Sequence, residues 1–324
     1  MKSLITGGAG FIGSHLCEEL LRRGDTIVVL DDLSTGRLEN LHAALATGQV
    51  RFVEGDIIDE ALLRELTAEC DRIFHLAAAV GVKLILERPL HTMNVNMTGT
   101  HNVLEAACDL GKPVLLASTS EVYGHQVAQS FREETPSLLG PVSEMRWIYA
   151  VTKLADEYLA AAYAQERGLS YIAARFFNTT GPRQTGRYGM VVPRFVQAAL
   201  AGDPITIYGD GRQVRCFCHV ADVIRAVADL MSKPETYGDV YNIGSDQPIT
   251  IQGLAERVLE LTGSSSPIEY VAYTEAYDGL GVHDIRYRAP DISKLSRTIG
   301  FRPKHTLDEI LTQMIEYYST PGRG

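Results

Sequence analysis

The sequence predicts an α/β protein built on a doubly wound parallel sheet, with a smaller lobe later in the chain. Three observations carry this. Short apolar runs alternate with helix-period stretches over the first half of the chain, as strands and crossover helices do when a parallel sheet is covered on both faces. A glycine-rich stretch, GGAGFIG at residues 7–13, stands between the first apolar run and the first helical stretch. After about Thr179 the rhythm changes, and loops lengthen and fill with Gly, Pro and Arg, as in TTGPRQTGRYGM and YGDGRQVR.

Taken in order, residues 3–6 (SLIT) read as the first buried strand and 14–23 as the first helix, stopped by Gly24. Further strands are expected at 26–30, 51–54, 72–76, 114–117 and 171–175. Longer helices are expected at 96–110 and 149–167, and the later lobe shows helical periodicity at 251–262 and 307–318. The expected division is a sheet domain over 1–178, rejoined by a segment near 218–246, and a lobe over 179–217 and 247–324. No internal repeat or low-complexity segment interrupts it.

Composition narrows the function. The chain has 324 residues, 45% hydrophobic and 22% charged, enough for one large domain or two modest ones. Thirty basic against forty acidic side chains leave a net charge of −10, which argues against nucleic acid or an anionic membrane as partner. A local arginine cluster for an anionic ligand remains compatible with that charge. No apolar run approaches the roughly 20 residues of a membrane span, and MKSLITGG is too short in apolar residues for a signal peptide. The five cysteines (Cys17, Cys70, Cys108, Cys216, Cys218) are scattered, and no His/Cys cluster completes a metal set. The expectation is reduced thiols in a cytoplasmic protein.

The glycine stretch gains meaning from its context. It follows a strand and opens a helix, as a phosphate cradle of a Rossmann-type sheet must. Gly7 permits the tight turn, Gly10 the approach of a pyrophosphate, and Gly13 close packing of helix on strand, with the helix N-terminus aimed at the phosphates. Asp31, eighteen residues past Gly13, ends the second strand. An acid there accepts from a ribose 2′-hydroxyl and repels a 2′-phosphate, which selects NAD over NADP. Asp56-Ile57 closes the third strand, where the acid can meet an adenine amino group. A second signature is Tyr149-x-x-x-Lys153, an i, i+4 pair on one helical face. An ammonium beside a phenol lowers the phenol's pKa and makes Tyr149 a base. Hydroxyls of Ser118-Thr119-Ser120, after the fifth strand, can share a proton with it. Thr119 is the expected partner, and Ser118 or Ser120 can equally cap the turn.

These stretches together, TGGAGFIGSHL, HLAA, STSEVYG, YAVTK, RFFNTTGPR and YGDGRQVRCFCHVADV, resemble the extended short-chain dehydrogenase/reductases. More narrowly, they resemble the NAD-dependent nucleotide-sugar epimerases, dehydratases and decarboxylases, over almost the whole chain. The resemblance implies permanently held NAD that oxidises the sugar 4-hydroxyl to a ketone and later returns the hydride. It implies a cofactor site from Gly7, Gly10, Phe11, Ile12, Gly13, Asp31, Asp32, Ser34, Asp56, Ile57, Leu76, Ala77, Ala78, Asn96, Tyr149, Lys153 and Phe176. It implies catalysis by Thr119, Tyr149 and Lys153, with Ser120 and Glu121 beside them. For the nucleotide sugar it implies Asn178 and Arg215 on the diphosphate and Tyr208 on the base, with Val191 and Arg288 also in the site. A homodimer through a four-helix bundle, from the 96–110 and 149–167 helices, follows from the same resemblance.

The motifs leave the reaction divided. The usual acidic pair of sugar dehydratases is replaced by Ser120-Glu121. Thr-Ser-Glu resembles both GDP-mannose dehydratases and UDP-glucuronate decarboxylases, the Arg288-Ala-Pro-Asp-Ile run resembles decarboxylases, and AAAVGVKLILERP after HLA is closer to epimerases. Arg183 and Arg187 lie in a loop that, by resemblance, borders the sugar, and an arginine fork suits a C6 carboxylate. The favoured expectation is therefore a 4-epimerase acting on UDP-glucuronate, ahead of UDP-glucuronate decarboxylase and then 4,6-dehydratase. A non-catalytic NAD sensor is disfavoured because Tyr149 and Lys153 are both present.

Overall fold

The structure, a computed structural model, describes residues 1–126, 130–186, 190–276 and 285–320. Strands Lys2–Thr6 (β1), Thr26–Asp31 (β2), Val50–Glu54 (β3), Arg72–His75 (β4), Val114–Thr119 (β5) and Tyr171–Phe176 (β6) join Asp239–Ile243 in one sheet. All seven run parallel, in the order Asp239–Ile243, β6, β5, β4, β1, β2, β3. The chain starts mid-sheet, winds outward through β2 and β3, then returns to β4 on the other side. The order therefore reverses between β1 and β4, and open α/β sheets bind ligands at the carboxyl ends of strands beside such a reversal.

Successive residues of these strands face opposite ways. Leu4 and Val28 enter one core, with Val103, Leu104 and Ala160 of helices Pro89–Asp109 and Ile148–Arg167. Ile5 and Val29 enter the other, with Leu16, Leu20, Val223 and Val227 of helices Phe11–Arg22 and Val220–Met231. A third core lies outside the sheet. There helices Val191–Ala201, Ile251–Thr262 and Leu307–Ser319 pack Phe195, Leu254 and Leu311 around Ile205 and Ile207.

The six strands expected from apolar runs are all present within a residue or two, and β5 runs on to Thr119. The seventh strand, Asp239–Ile243, lies in the 218–246 segment. The expected 96–110 helix begins earlier, at Pro89, where a missing N–H and a fixed φ suit a first turn. Among the described residues no helix is long and apolar enough to cross a membrane.

Candidate active site

The glycine turn is shaped by contact. Gly7 has φ +73°, and a Cβ there would lie 2.7 Å from the Ala77 backbone nitrogen. At Gly13 a Cβ would stand 2.2 Å from the Gly7 carbonyl oxygen, so only glycine lets the helix start this close to β1. Gly10 is the N-cap of the Phe11–Arg22 helix. The turn forms one wall of a cleft of about 610 Å³ along the carboxyl ends of the strands. Phe11, Ile12, Asp31, Asp32, Ser34, Asp56, Ile57, Leu76, Ala77, Ala78 and Phe176 also line it, as do Thr119, Ser120, Glu121, Tyr149 and Lys153.

Asp31 is buried, and its two carboxylate oxygens accept the Ala9 and Leu33 N–H groups, each at 2.9 Å. Burial pushes its pKa up against those bonds. Each oxygen keeps a further lone pair for a ribose hydroxyl. Shape, glycine contacts and acid placement all fit a dinucleotide without a 2′-phosphate. Asn96 differs from expectation. It is buried outside the cleft wall, exchanging hydrogen bonds with the Ala79 backbone and donating to Thr152 Oγ. It therefore shapes the wall from behind.

A second chamber, about 250 Å³, opens beside the first. Asn178, Val191, Tyr208, Arg215 and Arg288, five of the residues expected to meet a nucleotide sugar, come together in its lining. Arg146 and Arg194 line it too, and neither was anticipated. Arg194 sits over the Tyr208 ring at 4.4 Å and Arg146 over Trp147 at 4.8 Å. Tyr149, Glu121, Asn178 and Arg288 line both spaces and so mark their junction. There Arg288 gives one nitrogen to Asn178 Oδ1 at 2.9 Å and another to Glu121 Oε1 at 3.4 Å, while its buried Nε has no hydrogen-bond partner.

Two expectations need correcting. Arg183 does not line the second chamber. It has φ +71°, and its guanidinium turns back to Ser14 Oγ and Glu18 of the first helix. It therefore lies on the cofactor-cleft side, away from the chamber where a sugar carboxylate was expected. Arg187 lies outside the described residues. The second correction concerns Tyr149. The chain's own groups do not lower its phenol. Burial, then Glu121 and Asp156, push it above the ordinary range. Lys153 Nζ meanwhile contacts Asp156 Oδ2 at 3.1 Å. Thr119 caps the turn after β5 by accepting the Glu121 N–H at 3.3 Å, and its own O–H remains to be donated. Ser118 is held in a buried pair with Glu157. Ser120 is buried at the cleft wall.

A family signature described as NAD dependent epimerase/dehydratase spans residues 3–244. The chain belongs to this family. A family member similar to it is the UDP-N-acetyl-alpha-D-glucosaminuronate decarboxylase of Bacillus cytotoxicus, 40% identical over 98% of this chain and 97% of the relative. UDP-glucuronic acid decarboxylase 1 of Arabidopsis thaliana is 35% identical, over 97% of this chain and 69% of the relative. Among solved structures, the UDP-glucose 4-epimerase of Thermotoga maritima, with UDP-glucose, superposes with a TM-score of 0.88 at 32% identity. It covers 98% of this chain and 99% of that one. The family uses NAD, in agreement with the cleft. The relatives by sequence favour decarboxylation over the epimerisation placed first above.

Proposed function

We propose that this protein is an NAD-dependent decarboxylase of a UDP-linked hexuronate. The observation that carries the reading is the junction: Arg288, oriented by Asn178 and Glu121, stands where Tyr149 also faces both spaces. The named activities of the two decarboxylase relatives support it.

In this reading Gly7, Gly10, Gly13, Asp31, Asp56, Lys153 and Phe176 hold NAD, and the lobe around the third core holds the nucleotide sugar. Bound NAD supplies a hydride acceptor and later returns the hydride. The positive charge that bound NAD would bring beside Tyr149 would favour its phenolate, which takes the 4-hydroxyl proton with Thr119 sharing it through its O–H. The 4-ketone is β to the C6 carboxylate. The C5–C6 bond breaks, its electron pair moves into C4–C5, and carbon dioxide leaves. Negative charge gathers on the C4 oxygen, where the Tyr149 O–H can donate to it. C5 then takes up a proton, and Glu121 is the one acidic side chain among the described residues lining the second chamber. Arg288 offers the carboxylate a planar, permanent cation. Asn178 and Arg215 hold the diphosphate, and Tyr208 with Arg194 faces the base.

We further infer a homodimer. Leu90 and Met97 on one helix, and Val151 and Tyr158 on its neighbour, are exposed apolar residues at seven-residue spacing. Such a seam suits a second copy of the same helix pair.

The test is to incubate the purified protein with UDP-glucuronate and with UDP-N-acetylglucosaminuronate, and to follow products by mass spectrometry and proton NMR. Loss of carbon dioxide and a UDP-pentose product support the reading. An unchanged mass with inverted H4 coupling returns the assignment to 4-epimerase.

A further inference from the structure

Asparagine is depleted in strands, yet Asn242 stands in the seventh strand, Asp239–Ile243, with no exposed surface. A buried amide persists where its hydrogen bonds are made, and here each hydrogen of the side chain finds an acceptor. Asn242 Nδ2 donates to the Phe131 carbonyl at 2.9 Å and to the Asp291 carbonyl at 3.4 Å. Its Oδ1 accepts from the Tyr123 hydroxyl at 2.7 Å, and its backbone N–H donates to Glu133 Oε1 at 2.9 Å. The assignment is fixed by the partners. Two carbonyl oxygens only accept, so the amide nitrogen faces them. Arg175 only donates, and it reaches the Tyr123 oxygen at 2.8 Å, which leaves the phenol hydrogen for Asn242 Oδ1. Arg175, the cross-strand partner of Asn242, is itself held by Glu157 at 2.7 and 2.9 Å, and Glu157 pairs with Ser118, next to Thr119.

What this amide holds is the segment after Arg288. Phe131, fully buried, bridges Pro290: its N–H donates to the Ala289 carbonyl at 2.9 Å, and its carbonyl accepts the Asp291 N–H at 2.8 Å. Asn242 bonds Phe131 and Asp291 together, and so closes the bridge onto the edge of the main sheet. On its other side Arg288 belongs to the later lobe. It pairs in register with Arg215, on strands Tyr287–Arg288 and Val214–Cys216 of a small three-stranded sheet. Arg288 is thus the last residue of the lobe strand, and the bridge begins at the next residue. From that seam its guanidinium reaches Asn178 and Glu121.

We propose that Asn242 is a positioning residue for Arg288: its amide pins residues 289–291 to the edge of the main sheet, and so sets where the guanidinium stands between Asn178 and Glu121. Asn242 is fully buried and lines neither the cleft nor the chamber, so it acts only through this segment. The proposal deepens the decarboxylase reading and rests on it for the role of Arg288 toward a carboxylate.

The experiment uses the full-length, NAD-loaded protein. Its first readout needs no substrate: the side-chain nitrogen spectrum of the arginines, with Arg288→Ala identifying the Arg288 signals. The wild type is expected to show separate, unaveraged N–H signals, as a guanidinium held at two points gives. Asn242→Leu keeps the bulk of the side chain and removes the amide, and should average those signals while the other arginines stay in place. Averaged signals in the wild type, or unchanged signals in Asn242→Leu, overturn the proposal. The second readout is calorimetric affinity in the Tyr149→Phe background, where ligand is not consumed. Asn242→Leu should weaken UDP-glucuronate binding by about threefold to tenfold, part of the worth of a charge-assisted contact, and leave UDP binding unmoved. That loss should vanish in the Arg288→Ala background. Equal losses for both ligands, or an undiminished loss in the Arg288→Ala background, overturn the proposal. If Asn242→Leu does not fold, Tyr123→Phe replaces it and the same outcomes decide. That variant keeps the ring stacked on Phe131 at 4.8 Å and removes the O–H that orients the amide. If Arg288→Ala by itself leaves UDP-glucuronate affinity unchanged, the role of Arg288 in the decarboxylase reading has failed, and the nitrogen spectrum still decides whether Asn242 positions it.

Discussion

In the proposed decarboxylase reading, substrate choice turns on Arg288. Its guanidinium is the group at the junction best able to meet a C6 carboxylate, because Glu121 and Asn178 already set its orientation. Replacing Arg288 with Ala should lower kcat/KM for a UDP-hexuronate by about tenfold to a hundredfold, the worth of one charge-assisted contact of about 1.5–3 kcal/mol. Affinity for a UDP-hexose, measured by calorimetric titration, should change much less, since it presents no carboxylate. Equal losses on both ligands would mean that Arg288 serves the diphosphate or the fold. Tyr149→Phe should abolish turnover with NAD still bound, which absorbance and mass analysis of the released cofactor would check. At this scale the sequence was informative wherever chemistry sits in a local motif: the glycines, Tyr149, Lys153 and the Thr119–Glu121 run carry their own spacing. It was silent on Arg146 and Arg194, whose neighbours in the chamber come from distant elements. It misdirected Arg183, because nothing in GPRQTG announces that the backbone turns left-handed and aims the guanidinium at Glu18.

Among the elements, the junction of β1 with the Phe11–Arg22 helix has the least tolerance. A methyl at residue 13 would meet the Gly7 carbonyl at 2.2 Å, and backbone cannot swing aside as a side chain can. Gly13→Ala should therefore cost about 1–3 kcal/mol in unfolding free energy and reduce the NAD retained on purification. Urea unfolding and cofactor release by acid would measure the two effects. The helix pair Pro89–Asp109 and Ile148–Arg167 supports another expectation. Tyr158 is 72% exposed and Leu90 is 76% exposed, so Tyr158→Glu with Leu90→Glu should yield monomers in light scattering if this seam is the dimer interface. An unchanged mass would place the interface elsewhere. Periodicity made the strands and most helices legible, because each is an uninterrupted run of one period. It did not mark DVYNI as a sheet strand in its own right. That segment is short, and it pairs with β6 only after the chain has left for the lobe and come back. The helix start at Pro89 was equally hidden, since polar His91, Thr92 and Asn94 dilute the apolar stripe there.

Across the whole molecule, two buried histidines tie stability to pH. His75 sits between β1 and the Pro89–Asp109 helix, with its pKa pushed from 6.5 down to about 3 by burial and then by Lys153. His219 sits where the returning segment meets the C-terminal helix. It stacks on His305 at 4.1 Å and bonds Gln313 at 3.0 Å, and burial and then His305 lower its pKa to about 4. In each case the folded state holds the ring neutral while the unfolded chain binds a proton below pH 6.5. The stability contributed is therefore fully present above that value and is lost as pH falls toward 4 and then 3. Each site contributes at most about 1.4 kcal/mol per pH unit, so the two together set an upper slope of about 2.7 kcal/mol per unit. The lower exposure of His75 makes it the more complete contributor. Urea midpoints measured between about pH 7 and 5 should fall on acidification, with the net loss read as proton uptake on unfolding. His75→Gln, which cannot titrate, should start from a lower stability and show a slope shallower by about one proton. An undiminished slope in that variant would mean that His75 is not the proton trap its burial indicates.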